Sequence, residues 1–438
     1  MSARRPEPGA PLRSAIAVLA LSLTLAAPIV AHAPKISAEG SFAFTDVTVL
    51  PMDGERLLPN QTVVVVDGVI TAVGPAGAVA VPDDATLIDG TGRYLMPGLA
   101  EMHAHVPPVQ QGRPPEVLLD ELMFLYVANG ITSIRGMLGS PYQIDLANEV
   151  GSDEHVAPMF YVAAPSLNGS TAPNPAEAER RMREAAAAGY DLMKIHPGIP
   201  IAAWDRIVAV SNEIDLPFGG HVPAAVGIRH ALESGISTVD HVDGYLEASV
   251  SDEVLAQAEA SGMGIGVGQM LRSLDEGKMR ELASLTAKSG AFVVPTQYLW
   301  ENLYIDQDAD SVLALPEFAY VSQQQRNQWR AQSAGGSNLT GEDARLFRIA
   351  RDRMLEILVE EGASLLMGTD SPQLFNVPGF ALHRELEEIA ETGIDTYTIL
   401  ESGTRNVGRY VATQLATFDF ARAAFQPGRI SRATALKR

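Results

Sequence analysis

From Pro97 onward, apolar runs of strand length alternate with alanine-, glutamate- and arginine-rich stretches of helical length. Such alternation is the pattern of βα units wound around a parallel sheet. Core strands are expected near residues 98–102, 130–135, 157–163, 190–195, 217–221, 236–241, 291–296 and 364–370, with helices such as Pro175–Gly189 and Asp252–Ser261 between them. Eight such units over about 300 residues predict an α/β chain folded as a (β/α)8 TIM barrel, with its chemistry at the C-terminal ends of the strands. A ninth apolar run, Gly264-Ile265-Gly266-Val267, reads as an excursion between the sixth and seventh strands. Residues 299–350 read as a long, polar, partly helical insertion. Its aromatic residues and their neighbour (Tyr298, Trp300, Tyr304, Phe318, Tyr320, Trp329) suit either a lid over the barrel mouth or anchors to the barrel wall.

The stretch before the barrel has a different texture. Residues 41–50, 62–66, 69–73, 85–90 and 94–96 are short strand candidates, and Asp67-Gly68 supplies a hairpin turn between two of them. Further upstream, Arg4, Arg5 and Arg13 accompany the apolar run 15–27, which closes on the small-residue site Ala31-His32-Ala33. Basic head, short apolar middle and small-residue exit read as a secretory signal peptide. The run is short for a membrane span and has no basic stop after it. The division expected is therefore a signal peptide over 1–33, a small β domain over 34–96, a barrel over 97–395 and a C-terminal helix with a tail over 396–438. The expected location is secreted or periplasmic, with no membrane association after cleavage.

Composition narrows the chemistry. The chain has 438 residues and a formal charge of -21, a balance that disfavours phosphate backbones and so nucleic acid. It suits a protein that binds cations or small molecules. There is no cysteine, which excludes thiolate metal sites, iron–sulfur clusters and cysteine nucleophiles. Any metal must be held by nitrogen and oxygen ligands.

Those ligand types gather at the expected strand ends. The first strand runs Glu101-Met102-His103-Ala104-His105, and histidines at i and i+2 of an extended chain point to one side. The fourth ends at Lys194-Ile195-His196, the fifth at Gly219-Gly220-His221, the sixth at Asp240-His241 and the eighth at Gly368-Thr369-Asp370. Each of these alone is commonplace. As a set on the rim where barrel enzymes work, they point to a metal site.

The pieces Pro97-Gly98-Leu99-Ala100-Glu101-Met102-His103-Ala104-His105, Lys194, His221, His241 and Gly368-Thr369-Asp370-Ser371 resemble the amidohydrolase superfamily in its binuclear, carboxylated-lysine form. Within it they look most like the imidazolonepropionase-like and Xaa-Pro-dipeptidase-like branch. The resemblance spans roughly residues 41–410. It implies that the β-rich N-terminal piece forms a small β-sandwich beside the barrel. It also implies two divalent metal ions, zinc by default. His103, His105 and Asp370 would hold the more buried ion and His221 and His241 the more exposed one, with Lys194 bridging both as a carbamate. A free ammonium cannot ligate a cation, but a carbamate is a two-oxygen anion, and buried lysines lose their protons readily. The implied reaction is hydrolysis of an amide-type C–N bond by a metal-bridged hydroxide, with Asp370 as the catalytic base that becomes the acid.

Beyond the ligands the sequence is thinner. Tyr245 could meet an oxyanion or a substrate carboxylate, or pack beneath a loop. Arg135 could clamp a carboxylate with two N–H bonds, or form a structural ion pair. His196 is a candidate substrate contact or a partner of the ligands. His230 and His155 read as ordinary helix or loop histidines, and His383 as a residue near a helix start beside the site. Residues 414–438 break the family pattern: where a strand should return to the sandwich, the chain is basic (Arg422, Arg429, Arg432, Lys437, Arg438), so the sandwich is expected to be incomplete. The leading expectation is a hydrolase of dipeptides or N-acyl amino acids, acting on a small-molecule substrate as a single chain or a homo-oligomer. A cyclic-amide hydrolase or deaminase is the alternative within enzymes, and an inactive ligand- or metal-binding remnant the alternative outside them.

Overall fold

The computed structural model describes residues 40–106, 119–150, 156–304, 308–335, 339 and 341–414. The proposed signal segment, the basic tail and His155 lie outside them. Among the described residues, no helix is long and apolar enough to cross a membrane.

The N-terminal strands β1 (Ser41–Val49), β2 (Leu58–Val66), β3 (Val69–Pro75), β4 (Thr86–Asp89) and β5 (Tyr94–Leu95) form one sheet. Its order is β3-β2-β1-β4, with β5 also paired to β1. The β2–β3 hairpin turns on Asp67 and Gly68, with φ of 48° and 76°, the left-handed pair that matches the twist of antiparallel strands. Phe44, Val47, Val49, Val63 and Val65 are its buried core. These residues supply one of the two layers that a sandwich requires; no described strand forms the second.

Eight parallel strands follow: β6 (Leu99–Ala104), β7 (Ile131–Gly136), β8 (Met159–Val162), β9 (Met193–Ile195), β10 (Phe218–Gly220), β11 (Thr238–Asp240), β12 (Phe292–Val294) and β13 (Ser364–Leu365). They pair as β6-β7-β8 and as β9 through β13 in chain order. Single parallel bridges, Ala163 with Leu192 and Ala104 with Ser371, carry pairing across both gaps. At the second gap Met102 N–H donates to Met367 O at 2.8 Å and Asp370 N–H to His103 O at 2.7 Å. The eight strands coincide with the expected ones, and the arrangement is that of a TIM-barrel fold. The ninth run is not a strand: residues 263–266 are irregular and Val267 begins a short helix. Three glycines in alternation remove the side chains a strand would pack.

Helices between the strands start and stop on local signals. Pro175–Ala188 has Asn174 as its cap, accepting from Glu177 N–H, and ends at Gly189 with φ 88°. The helix Arg405–Gln414 sets Val407, Tyr410 and Val411 against Ala100, Met102, Phe292, Val294 and Leu366. The insertion is anchored, not free. Phe318 and Trp329 are buried with Leu313 against Phe375 and Val377, residues just downstream of Asp370. Trp300 stacks on Tyr304 with ring centroids 5.3 Å apart, and both meet Phe347. Those contacts answer to the anchoring expectation.

Candidate active site

The polar residues at the strand exits meet. His103 Nε2 lies 3.5 Å from Asp370 Oδ1 and 3.3 Å from Lys194 Nζ. His105 Nε2 is 2.6 Å from the same Asp370 oxygen, while His241 Nε2 faces the other one at 3.8 Å. One donor atom each from His103, His241 and Asp370 falls within 4.8 Å of the other two. His221 joins through its ring, 4.4 Å from that of His241, and His196 stacks on His221 at 5.1 Å. All six residues expected as ligands thus belong to one cluster. Gly220 makes room for it: with φ 127°, a Cβ there would stand 2.9 Å from Lys194 Cδ and 2.6 Å from Ile195 O.

Oxygen partners hold the imidazoles by one nitrogen. His241 Nδ1 is 2.9 Å from Thr296 Oγ1, His221 Nδ1 is 2.7 Å from Asp243 Oδ2, and His103 Nδ1 is 2.9 Å from Asp240 Oδ2. Nε2 is then the nitrogen left for a ligand, the arrangement that metal-binding histidines adopt. His241 Nε2 is buried with no hydrogen-bond partner. An unpaired polar atom in such a place costs free energy unless something meets it, so the donor set fits a bound cation.

Electrostatics prepare the same state. Burial, then the Lys194 ammonium, push His103 down to about 4. Burial and Lys194 likewise push His196 down to about 3, and burial followed by His103 holds His241 well below the usual imidazole range. Burial lowers Lys194 although Asp240 and Asp370 oppose it. For Asp370, burial raises the carboxyl, yet the surrounding imidazoles outweigh it and hold the group well below its usual range. Near neutral pH His103, His196 and His241 are therefore neutral imidazoles and Asp370 an anionic carboxylate, the forms in which these side chains ligate.

The backbone is strained where these residues sit. His241, Val242, Thr296 and Asp370 have φ of 65°, 59°, 50° and 63°. Left-handed conformations are uncommon for residues with a Cβ and are genuine outliers for β-branched ones. Such strain persists only where the surroundings over-determine it. Glu101 does part of that. Fully buried, it accepts from His103 N–H and Thr369 N–H through Oε1, both at 2.9 Å, and from Thr369 Oγ1–H through Oε2 at 2.6 Å. Burial pushes this carboxyl up to about 7. One side chain thus ties the strand bearing His103 to the segment bearing Asp370.

Two expected substrate contacts sit elsewhere. Arg135 is buried and donates from Nε to Met102 O at 2.7 Å and from one terminal nitrogen to Tyr410 Oη at 2.9 Å; the other terminal nitrogen lies 3.5 Å from Asp240 Oδ1. All its donors face the barrel interior, so the structural ion pair, and not a carboxylate clamp, describes it. Tyr245 is buried with its hydroxyl 2.7 Å from the Thr286 hydroxyl, so it packs beneath the loop and is not presented to a substrate. His196 alone of the three stands beside the cluster. His383 Nε2 lies 2.9 Å from Asn129 O and His230 Nε2 3.0 Å from Asp205 Oδ1, each away from it.

Asp240, Asp243, Thr296 and Glu101 were not singled out from the sequence as parts of this site. Asp240 and Asp243 flank His241 and Glu101 is two residues before His103, so adjacency was a usable signal. Thr296 carried none.

Comparison with known proteins agrees with the architecture. No family model matches the chain. The structure resembles bottromycin amidohydrolase with a TM-score of 0.62 and 21% identity, covering 90% of this chain and 84% of that one. A putative prolidase from Bifidobacterium longum gives 0.58 at 19% identity over 86% and 84% of the two chains. A Xaa-Pro dipeptidase with methionine in its active site gives 0.58 at 14% identity over 86% and 89%. The chain shares its fold with these proteins. In sequence, a stretch of 65 residues is 38% identical to the imidazolonepropionase of Stenotrophomonas maltophilia (strain R551-3), covering 14% of this chain and 16% of that protein. The chain therefore matches only about a sixth of that relative's length.

Proposed function

We propose that the chain is a metal-dependent hydrolase that cleaves an amide-type C–N bond in a dipeptide or an N-acyl amino acid. The observation that carries this reading is the convergence of His103, His241 and Asp370 on one point, with His105, Lys194 and His221 beside them. The names of the similar structures, two of them enzymes of proline dipeptides, support the substrate class.

His103, His105 and Asp370 would hold one divalent ion and His221 and His241 the second, with Lys194 between them. When bound, such ions acidify a water and polarise a carbonyl. The protein's own part is proton handling and placement. The Asp370 carboxylate presents Oδ1 to His103 and His105 and Oδ2 to His241. It is a base at the centre of the cluster, able to take a proton from water and return it to the departing nitrogen. Burial lowers the pKa of Lys194, so its ammonium gives up a proton more readily, and the free amine can add carbon dioxide: nitrogen bonds to carbon, one N–H proton leaves to solvent, and the product is an anion able to lie between cations. In this reading the eight strands close as a (β/α)8 barrel over residues 97–395 beside the N-terminal domain (34–96), and the chain is exported after loss of residues 1–33. The 65-residue match to an imidazolonepropionase favours, as a second reading, ring opening of a cyclic amide.

The deciding experiment loads the purified protein with zinc, manganese or cobalt and screens dipeptides, N-acyl amino acids and cyclic amides, with Asp370→Asn alongside. Turnover of an Xaa-Pro or N-acyl substrate, reduced by about 10²–10⁴-fold in the variant, is expected. Ring opening or ammonia release alone would transfer the assignment to the second reading. Two bound metals without turnover of any substrate would make the chain an inactive remnant.

A further inference from the structure

Arg351 lies on the helix Gly341–Glu360 that leads into β13, and its guanidinium is buried under the cluster. It is one of the few buried charged side chains that the proposed chemistry does not use. One terminal nitrogen donates to His241 O at 2.7 Å, the other to Pro295 O at 2.8 Å, and Nε donates to Gln297 Oε1 at 3.0 Å. Its plane is covered by aromatic rings, with the guanidinium carbon 5.0 Å from the Trp300 centroid and 5.6 Å from that of Phe347. Gln297 is fixed in turn, donating to Asp352 Oδ1 at 2.8 Å.

The two carbonyls it holds are informative. His241 O belongs to the left-handed pair His241–Val242 at the exit of β11, and Pro295 O to the peptide just before left-handed Thr296 at the exit of β12. These two exits make the hydrogen bond that orients the His241 ring, Nδ1 to Thr296 Oγ1. A planar fork that donates to both carbonyls fixes the separation of the two exits, and with it the direction of His241 Nε2. A single ammonium lacks the rigid fork.

We propose that Arg351 is a positioning residue for His241, holding two strained strand exits in the register that aims its free nitrogen at Asp370. This rests on the reading of His241 as a metal ligand. It assigns the insertion aromatics Trp300 and Phe347 a share in the work, as the surface on which the guanidinium is stacked.

The test compares full-length protein loaded with cobalt(II) in four forms: Arg351→Met, Arg351→Lys, His241→Ala and Leu358→Ala. Leu358 is buried on the same helix, two turns away, so it reports loss of stability alone. Arg351→Met should lose cobalt to a chelator at least about tenfold more readily than the parent, the scale set by outer partners of metal ligands, and its visible cobalt absorption should change. Arg351→Lys should fall between the two, and Leu358→Ala should keep the parental cobalt affinity and spectrum despite a lower Tm. Parental cobalt retention in Arg351→Met, or losses in Arg351→Met and Leu358→Ala that simply follow Tm, would overturn the proposal. Parental retention in His241→Ala would overturn the ligand reading beneath it, so the two failures are distinguishable. If Arg351→Met yields no folded protein, Gln297→Leu removes the anchor of Nε while leaving the guanidinium, and a loss of cobalt retention below the roughly tenfold scale of direct outer partners is the expected result, with parental retention counting against the idea.

Discussion

His103, Lys194 and Asp240 have no exposed side-chain surface, whereas His105 and His221 keep 19% and 22% of theirs. The inner half of the cluster is a charge network closed on itself: Asp240 faces His103 at 2.9 Å, Lys194 at 3.5 Å and Arg135 at 3.5 Å. The outer half consists of side chains held by one partner each and open on the remaining side. Buried charges are tolerated only with complete compensation, so the inner half must be built with the fold. Exposed groups carry no such demand and can be left for a substrate to approach. Stability and recognition are thereby assigned to different residues of one site.

The contrast can be broken most forcefully at Asp240. Burial raises this carboxyl, but His103, Lys194 and Arg135 together hold it well below the usual range. Asp240→Ala leaves the two cations without their shared partner and should cost about 3–5 kcal/mol of stability in the metal-free protein, read as a fall in the urea midpoint. A near-parental midpoint would mean the inner half is not a structural network. At the outer half the effects should separate. Asp243→Ala should cost about 1 kcal/mol or less but weaken metal retention about tenfold, measured by chelator competition beside thermal melting. Equal losses in both would erase the distinction.

The smallest expected effect is on pH dependence. His196 and His103 are held at about 3 and 4, below the 6.5 of a free imidazole. Their folded-state values are depressed, so the unfolded chain binds more protons once pH falls below about 6.5. The contribution to stability is present above that value and is lost progressively as pH falls toward 3. Melting curves of metal-free protein between pH 7.5 and 4 should therefore decline less steeply in His196→Asn than in the parent. Parallel curves would show that His196 is not held neutral by its surroundings.

Much of this was legible beforehand, for physical reasons that can be named. The eight strands stood out because buried parallel strands read as short apolar runs between helical ones. The metal-type side chains stood out because their residue types recur at those exits. Asp240 shows in sequence only its adjacency to His241; its role stays hidden because its partners are 46, 105 and 137 positions away along the chain, at Lys194, Arg135 and His103. The left-handed turns at His241, Thr296 and Asp370 were hidden for the opposite reason. Glycine advertises such turns, and none of these residues is glycine. Arg135 and Tyr245 were open to two readings in sequence, and only their full burial among interior partners decides between them.

The packing of Phe318 and Trp329 on Phe375 and Val377 has a practical corollary for anyone redesigning this chain. The excursion between the last two strands looks like dispensable surface, a natural place to trim for a smaller scaffold or to splice in a reporter. Its hydrophobic foot stands on the very loop that leaves Asp370. Shortening it would strip the apolar cover from that loop, so any truncation should be planned around residues 309–334 and not through them.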